Sequence, residues 1–152
     1  MHPHAELIAN FYEAFDRHDG DAMAACYHDE ARFSDPVFPD LDAAGVRAMW
    51  RMLTGDADDL RVEFSDIEAD EESGRAHWEA WYTFSKTGRP VHNVIDATFD
   101  FRDGKIVRHV DNFDFWRWSR QALGLPGLLL GWTPILQNKV QATAAGRLAD
   151  RR

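Results

Sequence analysis

The sequence holds a single cysteine, Cys26, among its 152 residues. One thiol excludes a disulfide within the chain and a metal cage built from several thiolates. The N-terminus has no basic segment followed by an apolar one, so a secretory leader is not expected. We therefore predict a reducing, cytoplasmic location.

Positive charge is also scarce, because 17 lysines and arginines stand against 26 aspartates and glutamates. The formal net charge of −9 and the lack of a basic stripe argue against a nucleic-acid partner. Long apolar runs are missing as well. The longest, residues 123–136, is broken by glycines and prolines and is too short to span a bilayer. Because it also lacks the basic face of a helix that lies on a membrane surface, we expect no membrane partner.

Apolar residues nevertheless make up 45% of the chain and charged residues 28%, which is typical of a folded domain with its own core. The length favours one domain. We predict a single domain over residues 1–152, with its core in about residues 6–118 and a loop followed by a helix in residues 119–152.

Helical spacing of apolar residues dominates the first third of the chain. An amphipathic first helix is predicted from the spacing of Leu7, Ile8, Phe11 and Phe15. A short second helix is expected over residues 21–27, followed by an extended segment over residues 31–38. A third helix ends near Leu53 and is capped by Asp40 or Asp42.

From Leu60 onwards, apolar and polar residues alternate, which predicts four long strands, the last over about residues 106–116. Thr87-Gly88 and Asp103-Gly104 lie where hairpin turns are needed. Helices followed by an antiparallel meander predict an α+β fold.

Four segments of the chain, taken in order, resemble the nuclear transport factor 2-like superfamily. They are FYEAFDRHDGD (residues 11–21), FSDPVF (33–38), FDFRDGKIV (99–107) and HVDNFD (109–114). Within this superfamily the sequence looks most like SnoaL-like proteins, relatives of ketosteroid isomerase and limonene-epoxide hydrolase. The resemblance implies a cone: a curved mixed or antiparallel sheet wraps around three N-terminal helices, with a cavity at the open end and often a dimer. The C-terminal helix is additional to that core.

The resemblance also implies two functional carboxylates. Asp35 lies where ketosteroid isomerase has its proton-shuttling aspartate and where limonene-epoxide hydrolase has a water-binding asparagine. Asp111 lies where the hydrolase has its general-base aspartate.

Other positions depart from both relatives. Ala97 replaces the oxyanion-hole acid of the isomerase, and Phe11 stands where its partner tyrosine is expected, with Tyr12 one position away. The arginine and aspartate of the hydrolase correspond to Trp78 and Ala80. Since neither active site is intact, neither activity transfers directly.

The alternation of side chains along the strands places polar residues on an apolar inner face. Asn93 shares the parity of the inward residues of its strand. On the last strand, an inward Val107 and Phe113 turn His109 inward as well, and Asp111 has the same parity. Polar groups on such a face need partners or a function, because burying them costs free energy.

We predict a site without a metal or a cofactor, because His77 and His92 have no third ligand at metal spacing. The predicted catalytic residues are Asp111, Asp35 and His109. The predicted substrate-binding residues are Tyr82, Asn93, Trp50, Trp78, Phe11, Tyr12 and Phe113. Three roles are open for His109: it orients Asp111, it transfers a proton itself, or it is an ordinary core histidine, which is the commonest case for a lone inward histidine.

Two functions fit this pattern. The first is an enzyme that acts on a small hydrophobic molecule by carboxylate general acid–base chemistry of the isomerase, cyclase or hydrolase type. The second is a non-catalytic module that binds a small molecule or dimerises. The outer face of the sheet carries Trp81, Val94 and Val110 among charges, which predicts a homodimer through that face.

Overall fold

The computed structural model describes residues 1–151, which form six helices and six strands. The helices are α1 (Pro3–Asp16), α2 (Gly20–Ala24), α3 (Ala43–Asp56), α4 (Phe115–Leu123), α5 (Leu125–Leu130) and α6 (Pro134–Ala149). The strands are β1 (Tyr27–Ser34), β2 (Leu41–Asp42), β3 (Arg61–Ala69), β4 (Ser73–Phe84), β5 (Arg89–Arg102) and β6 (Lys105–Asn112). In this part of the chain, no helix is long and apolar enough to cross a membrane.

Carboxylate caps determine where two of the N-terminal helices begin. Asp19 accepts a hydrogen bond from the Ala22 N–H at the start of α2, and Asp42 accepts one from the Gly45 N–H at the start of α3. Of the two predicted caps of the third helix, Asp42 is therefore the one used. The second helix ends earlier than predicted, because the first strand begins at Tyr27.

The six strands form one open sheet in the order β2–β1–β6–β5–β4–β3. All neighbouring pairs are antiparallel except β1 and β6, which run parallel. One core cluster extends from Ile8 in α1, across the inner face of the sheet and α3, to Leu148 in α6. This mixed sheet packed against helices confirms the predicted α+β class and the fold implied by the resemblance.

A register shift between β5 and β6 corrects one inward-facing residue. The pairing passes from Arg108 to Ile106 opposite two consecutive residues of β5, so Val107 is the extra residue of a β-bulge. Ile106 is fully buried, whereas Val107 is only half-buried and lies outside the core cluster. The predicted inward position of Val107 is therefore wrong, although His109 and Asp111 are buried on the inner face as predicted.

The chain turns into α4 where the last strand is predicted to continue. β6 ends at Asn112, and the Asp114 carboxylate accepts a hydrogen bond from the Arg117 N–H at 3.1 Å. This cap starts a helix instead of extending the strand. Phe115 and Trp118 of α4 then form a second apolar cluster with residues of β4 and β5.

The C-terminal segment is three helices, where a loop and one helix are predicted. The last of them, α6, lies against α3 and the loop between β1 and β2. The side-chain amides of Gln137 and Gln141 donate to the Pro36 carbonyl at 3.1 and 3.0 Å, and the Arg147 guanidinium donates to the Asp56 carboxylate at 3.0 Å. Only one α6 side chain is buried, so polar contacts contribute much of what holds this helix in place.

Gly127 of α5 packs directly on the backbone of α4. A Cβ atom at this position would lie 1.9 Å from the Ser119 carbonyl oxygen, so an alanine forces the two helices apart. We expect Gly127→Ala to lower the free energy of unfolding by about 1–3 kcal/mol, measured by urea denaturation followed by circular dichroism.

Gly146→Ala in α6 is the matched control, because a Cβ there meets no atom within 4 Å. This control should raise stability by about 0.5–1 kcal/mol through helix propensity. Equal denaturation midpoints for Gly127→Ala and the unaltered protein would show that α4 and α5 are not packed as described.

Candidate active site

A cavity of about 520 Å³ lies between the inner face of the sheet, α3 and the C-terminal helices. Its size is within the range of pockets that bind small organic molecules. Most of the lining side chains are apolar. Seven of the ten predicted site residues line it: Asp35, Asp111, Tyr82, Asn93, Trp50, Trp78 and Phe113.

Strand pairing brings the two predicted carboxylates together. In the parallel ladder of β1 and β6, Ser34 is the partner of Val110. Asp35 directly follows Ser34 in the sequence and Asp111 directly follows Val110, and both aspartates line the cavity. Asp111 is only 2% exposed, whereas Asp35 is half-buried.

A chain of hydrogen bonds holds Asp111 from behind. The Trp50 indole N–H donates to the Tyr27 hydroxyl at 2.8 Å, and that hydroxyl lies 2.7 Å from His109 Nδ1. His109 Nε2 lies 2.8 Å from Asp111 Oδ1. Since an indole nitrogen only donates, the Tyr27 proton is available for His109 Nδ1, and Nε2 carries the hydrogen that it donates to Asp111.

This arrangement places His109 behind the carboxylate and away from the cavity lining. The imidazole ring is fully buried between Phe33 and Phe99, with centroid separations of 5.0 and 4.4 Å. The hydrogen bond between His109 and Asp111 supports the prediction that His109 orients this carboxylate.

Both protein hydrogen bonds to the Asp111 carboxylate, as far as the described residues show, end on one oxygen. Oδ1 receives His109 and, at 3.4 Å, the Trp78 indole N–H. Oδ2 is left for a group in the cavity that Asp111 lines. A carboxylate fixed through one oxygen and open at the other has the geometry of a general base.

Asp35 is held by the backbone of the following turn. Its Oδ1 accepts hydrogen bonds from the Val37 and Phe38 N–H groups at 2.7 and 2.6 Å. The pKa of Asp35 is raised to about 7. Burial is the main cause, and the negative charge of Asp111 adds to it, whereas the hydrogen bonds from the Phe38 and Val37 N–H groups act in the opposite direction. At neutral pH a large share of Asp35 therefore carries a proton.

Tyr82 adds a hydrogen-bond donor to the same cavity. Its hydroxyl accepts from the Trp118 indole N–H at 2.8 Å, so its own proton remains available. Burial raises the pKa of Tyr82 to about 12, the Trp118 hydrogen bond lowers it and the charge of Asp35 raises it. The hydroxyl stays protonated at neutral pH and can donate to an oxygen of a bound molecule.

Phe11 and Tyr12 were predicted to bind substrate, but neither is among the side chains that line the cavity. Both are fully buried in the core, where α1 packs against the sheet. Phe11 contacts Trp50 edge-on at a centroid separation of 5.6 Å, and Tyr12 stacks on Phe64 at 5.6 Å. These rings lie behind the cavity wall and support it.

The sequence prediction missed the C-terminal part of the lining. Trp118 of α4 and Leu136, Val140 and Ala144 of α6 also line the cavity. The spacing of the three α6 residues at four-residue intervals is the signal of an inward helix face. The C-terminal helix was predicted, but the prediction did not name which of its residues line the cavity.

The structure brings no group of three His, Cys, Asp or Glu side chains together to hold a metal ion within residues 1–151. The chemistry that this cavity can perform with its own side chains is proton transfer, because it combines an open carboxylate, a carboxyl group that is partly protonated and a phenol.

The proximity of the two carboxyl groups is testable by following the Asp35 titration with carbon-13 NMR of the side-chain carboxyl. The midpoint should lie near pH 7 and should fall in Asp111→Asn, because a neighbouring negative charge disfavours a second one. Asp35→Asn assigns the signal, and Asp100→Asn on the exposed face of β5 is the control that should leave the midpoint unchanged. An unchanged midpoint in Asp111→Asn would mean that the two groups do not interact.

Comparison with known proteins adds a family and a set of related folds. The SnoaL-like domain family matches the chain over residues 8–109. No curated protein matches it. Solved structures with the same fold confirm the resemblance drawn from the four sequence segments.

Three of these structures show the range of similarity. An LEH-like epoxide hydrolase from M. tuberculosis has a TM-score of 0.67 at 19% identity, over 84% of this chain and 95% of its own. IdmH from Streptomyces antibioticus, described as a candidate polyketide cyclase, has a TM-score of 0.66 at 24% identity, over 82% and 100%. A protein of ketosteroid isomerase-like fold from Catenulispora acidiphila, solved with trimethylamine, has a TM-score of 0.69 at 12% identity, over 85% and 98%. At these identities the similarity shows the fold alone.

Proposed function

Since the chain belongs to the SnoaL-like domain family, we propose that its cavity binds a small, mostly apolar molecule and catalyses a proton transfer on it. The observation that carries this proposal is the Asp111 carboxylate, which is anchored by His109 and leaves one oxygen open to the cavity. Related folds include an epoxide hydrolase and a candidate polyketide cyclase, and such reactions depend on a positioned acid and base.

The arrangement fits removal of a proton from the carbon next to a carbonyl group. Asp111 Oδ2 takes the proton, and the electron pair of the broken C–H bond moves into the forming enol. The carbonyl oxygen receives a proton from Asp35 and a hydrogen bond from the Tyr82 hydroxyl. In an isomerisation, Asp111 gives its proton to a different carbon of a conjugated enol, and the enol O–H returns its proton to Asp35. In a cyclisation, the enol carbon attacks a second carbonyl, whose oxygen takes the proton from Asp111, and the enol O–H returns its proton to Asp35.

The surroundings of the two carboxyl groups separate their roles. Asp111 accepts hydrogen bonds from two side-chain N–H groups through Oδ1 and keeps Oδ2 as the acceptor for a substrate proton. Asp35 has a pKa raised to about 7, which favours a proton donor at and below neutral pH. A base and an acid that differ in this way are typical of general acid–base sites.

The proposal is tested with β-tetralone, a bicyclic ketone whose carbon-bound hydrogens exchange with deuterium oxide once an enol forms. Proton NMR measures the protein-dependent exchange rate. We expect Asp111→Asn to lower this rate about a hundredfold or more while β-tetralone still binds, because the amide cannot accept the proton. The rate should also fall as pH rises above about 7, because Asp35 then loses the proton it donates.

Asp100→Asn is the matched control and should keep the full rate, since this carboxylate is exposed on the outer face. Full exchange in the Asp111→Asn variant would contradict the general-base role. Binding of β-tetralone without any exchange in the unaltered protein would favour the alternative function, a non-catalytic pocket. One observation favours this alternative. Other catalytic residues of ketosteroid isomerase and limonene-epoxide hydrolase are replaced in this sequence, as at Ala97.

We also propose that the protein forms a homodimer through the outer face of the sheet. This face carries Trp81, whose ring stacks on His92 at a centroid separation of 4.5 Å and is covered by the Arg61 guanidinium at 4.0 Å. The neighbouring Glu79 binds His77 and His92 at 3.1 and 2.7 Å. Such a flat surface of planar, paired side chains suits a symmetric contact.

The dimer predicts a change of mass on substitution of one surface residue. Trp81→Glu should shift the protein from dimer to monomer in light scattering coupled to size exclusion, because it places two buried charges at the symmetric contact. Ala145→Glu, an exposed residue of α6, adds the same charge elsewhere and should leave the mass unchanged. A monomeric unaltered protein, or a Trp81→Glu variant that stays dimeric, would refute this interface.

A further inference from the structure

Charge is unevenly distributed along the chain. Residues 115–149 contain four basic residues and no acidic one, although the whole chain carries a formal net charge of −9. This stretch spans α4, α5 and α6. The C-terminal helices therefore form a basic part of an otherwise acidic protein.

Exposed apolar side chains concentrate in the same stretch. Within residues 1–151, all large hydrophobic residues that are strongly exposed, apart from Met1, lie in α5, in the turn after it and at the start of α6. We name them the apolar ridge: Leu125, Leu128, Leu129, Leu130, Trp132 and Ile135. They are between 47% and 78% exposed, so water covers a continuous run of aliphatic and indole surface. Such a patch marks a docking surface.

Basic side chains flank this ridge in the structure. The Arg120 guanidinium lies over the Trp116 ring at 4.4 Å, and the Trp116 indole N–H donates to the Leu128 carbonyl at 3.1 Å. Arg120 is thus held beside α5. Lys139 follows Ile135 by about one turn of α6 and is exposed. The basic residues near the ridge in the sequence therefore come from two helices, α4 and α6.

We propose that the apolar ridge docks on the surface of an anionic lipid bilayer. Leucine, isoleucine and tryptophan side chains enter the boundary between headgroups and acyl chains, and flanking arginine and lysine attract anionic lipids. No acidic residue of this segment opposes that attraction. The expectation of no membrane partner came from the lack of a basic face on any single helix. In this segment the basic residues come from two helices, α4 and α6.

Charge disfavours a second copy of the chain as the occupant. A two-fold contact through the ridge brings the same surface of both subunits together. The basic side chains of one copy would then lie close to those of the other, and like charges would repel without an acidic residue of the segment between them. A bilayer with anionic headgroups offers the opposite charge.

The ridge also adjoins the cavity. Leu123 at the end of α4 and Pro126 within α5 line the cavity, as does Leu136, the residue after Ile135. A protein docked through the ridge would hold this side of its cavity close to the layer in which apolar molecules dissolve. This last step rests on the proposed function, whereas the docking itself does not.

Sedimentation of the full chain with vesicles tests the proposal. The vesicles are phosphatidylcholine alone or phosphatidylcholine with about 30% phosphatidylglycerol. We expect the protein to sediment with the anionic vesicles at least about tenfold more tightly than with the neutral ones, and to be released at about 0.5 M salt. Docking should also shift Trp132 fluorescence to the blue, a shift that Trp132→Phe removes.

Two variants separate the apolar contribution from the charge. Leu129→Asp combined with Ile135→Asp should weaken binding to anionic vesicles at least about tenfold, and circular dichroism checks that this doubly exposed pair leaves the fold intact. Lys139→Glu should weaken it severalfold through charge. Arg102→Glu is the control, because it makes the same charge change at the last residue of β5, outside the C-terminal helices. This variant should bind like the unaltered protein.

Several outcomes would overturn the proposal. The proposal is wrong if the unaltered protein remains in the supernatant with both vesicle types. It is also wrong if the double aspartate variant sediments like the unaltered protein. A dimer that the double variant dissolves, without any sedimentation, shows that a second copy covers the ridge. Asp111→Asn should sediment like the unaltered protein, so loss of catalysis and loss of docking are distinguishable.

Discussion

Because β1 and β6 run parallel, the chain leaves both strands at the same edge of the sheet, and Asp35 and Asp111 emerge side by side. Every other feature of the site depends on that pairing. An antiparallel neighbour would send the residue after Ser34 to the opposite edge. The two carboxyl groups would then be separate, and Asp35 would lose the neighbouring charge that adds to the effect of burial on its pKa.

Burying two acids in one apolar cavity costs free energy, and the structure offsets that cost unequally. Asp111 is stabilised by His109, which Tyr27 and Trp50 hold in turn, so this group is rigid and supplied with donors. Asp35 has two backbone N–H donors, but burial and the charge of Asp111 still raise its pKa, to about 7. The proposed division of the pair into a base and an acid rests on this difference in surroundings.

Alternation along the strands predicted Asn93, His109 and Asp111 on the inner face, because side-chain parity is a local property. It failed at Val107, since one bulged residue shifts parity and no residue of the sequence marks it. Tyr27 was missed because its contact with His109 joins residues 82 positions apart, and such contacts depend on the completed sheet. The start of α4 was predicted as strand, since Phe113 and Phe115 alternate with polar residues and conceal the Asp114 cap.

The family match ends at residue 109, two residues before Asp111, and the three C-terminal helices lie beyond it. Trp118, Leu136 and Val140 line the cavity from α4 and α6, and Trp118 also sets the direction of the Tyr82 hydrogen bond. The shared fold therefore supplies a platform for the carboxylates, whereas the C-terminal helices shape the space above them. Those helices also carry the exposed apolar ridge, so the proposed docking surface and part of the cavity lining belong to the same segment. Substitutions in this segment can therefore change both without altering the strands that hold the acids.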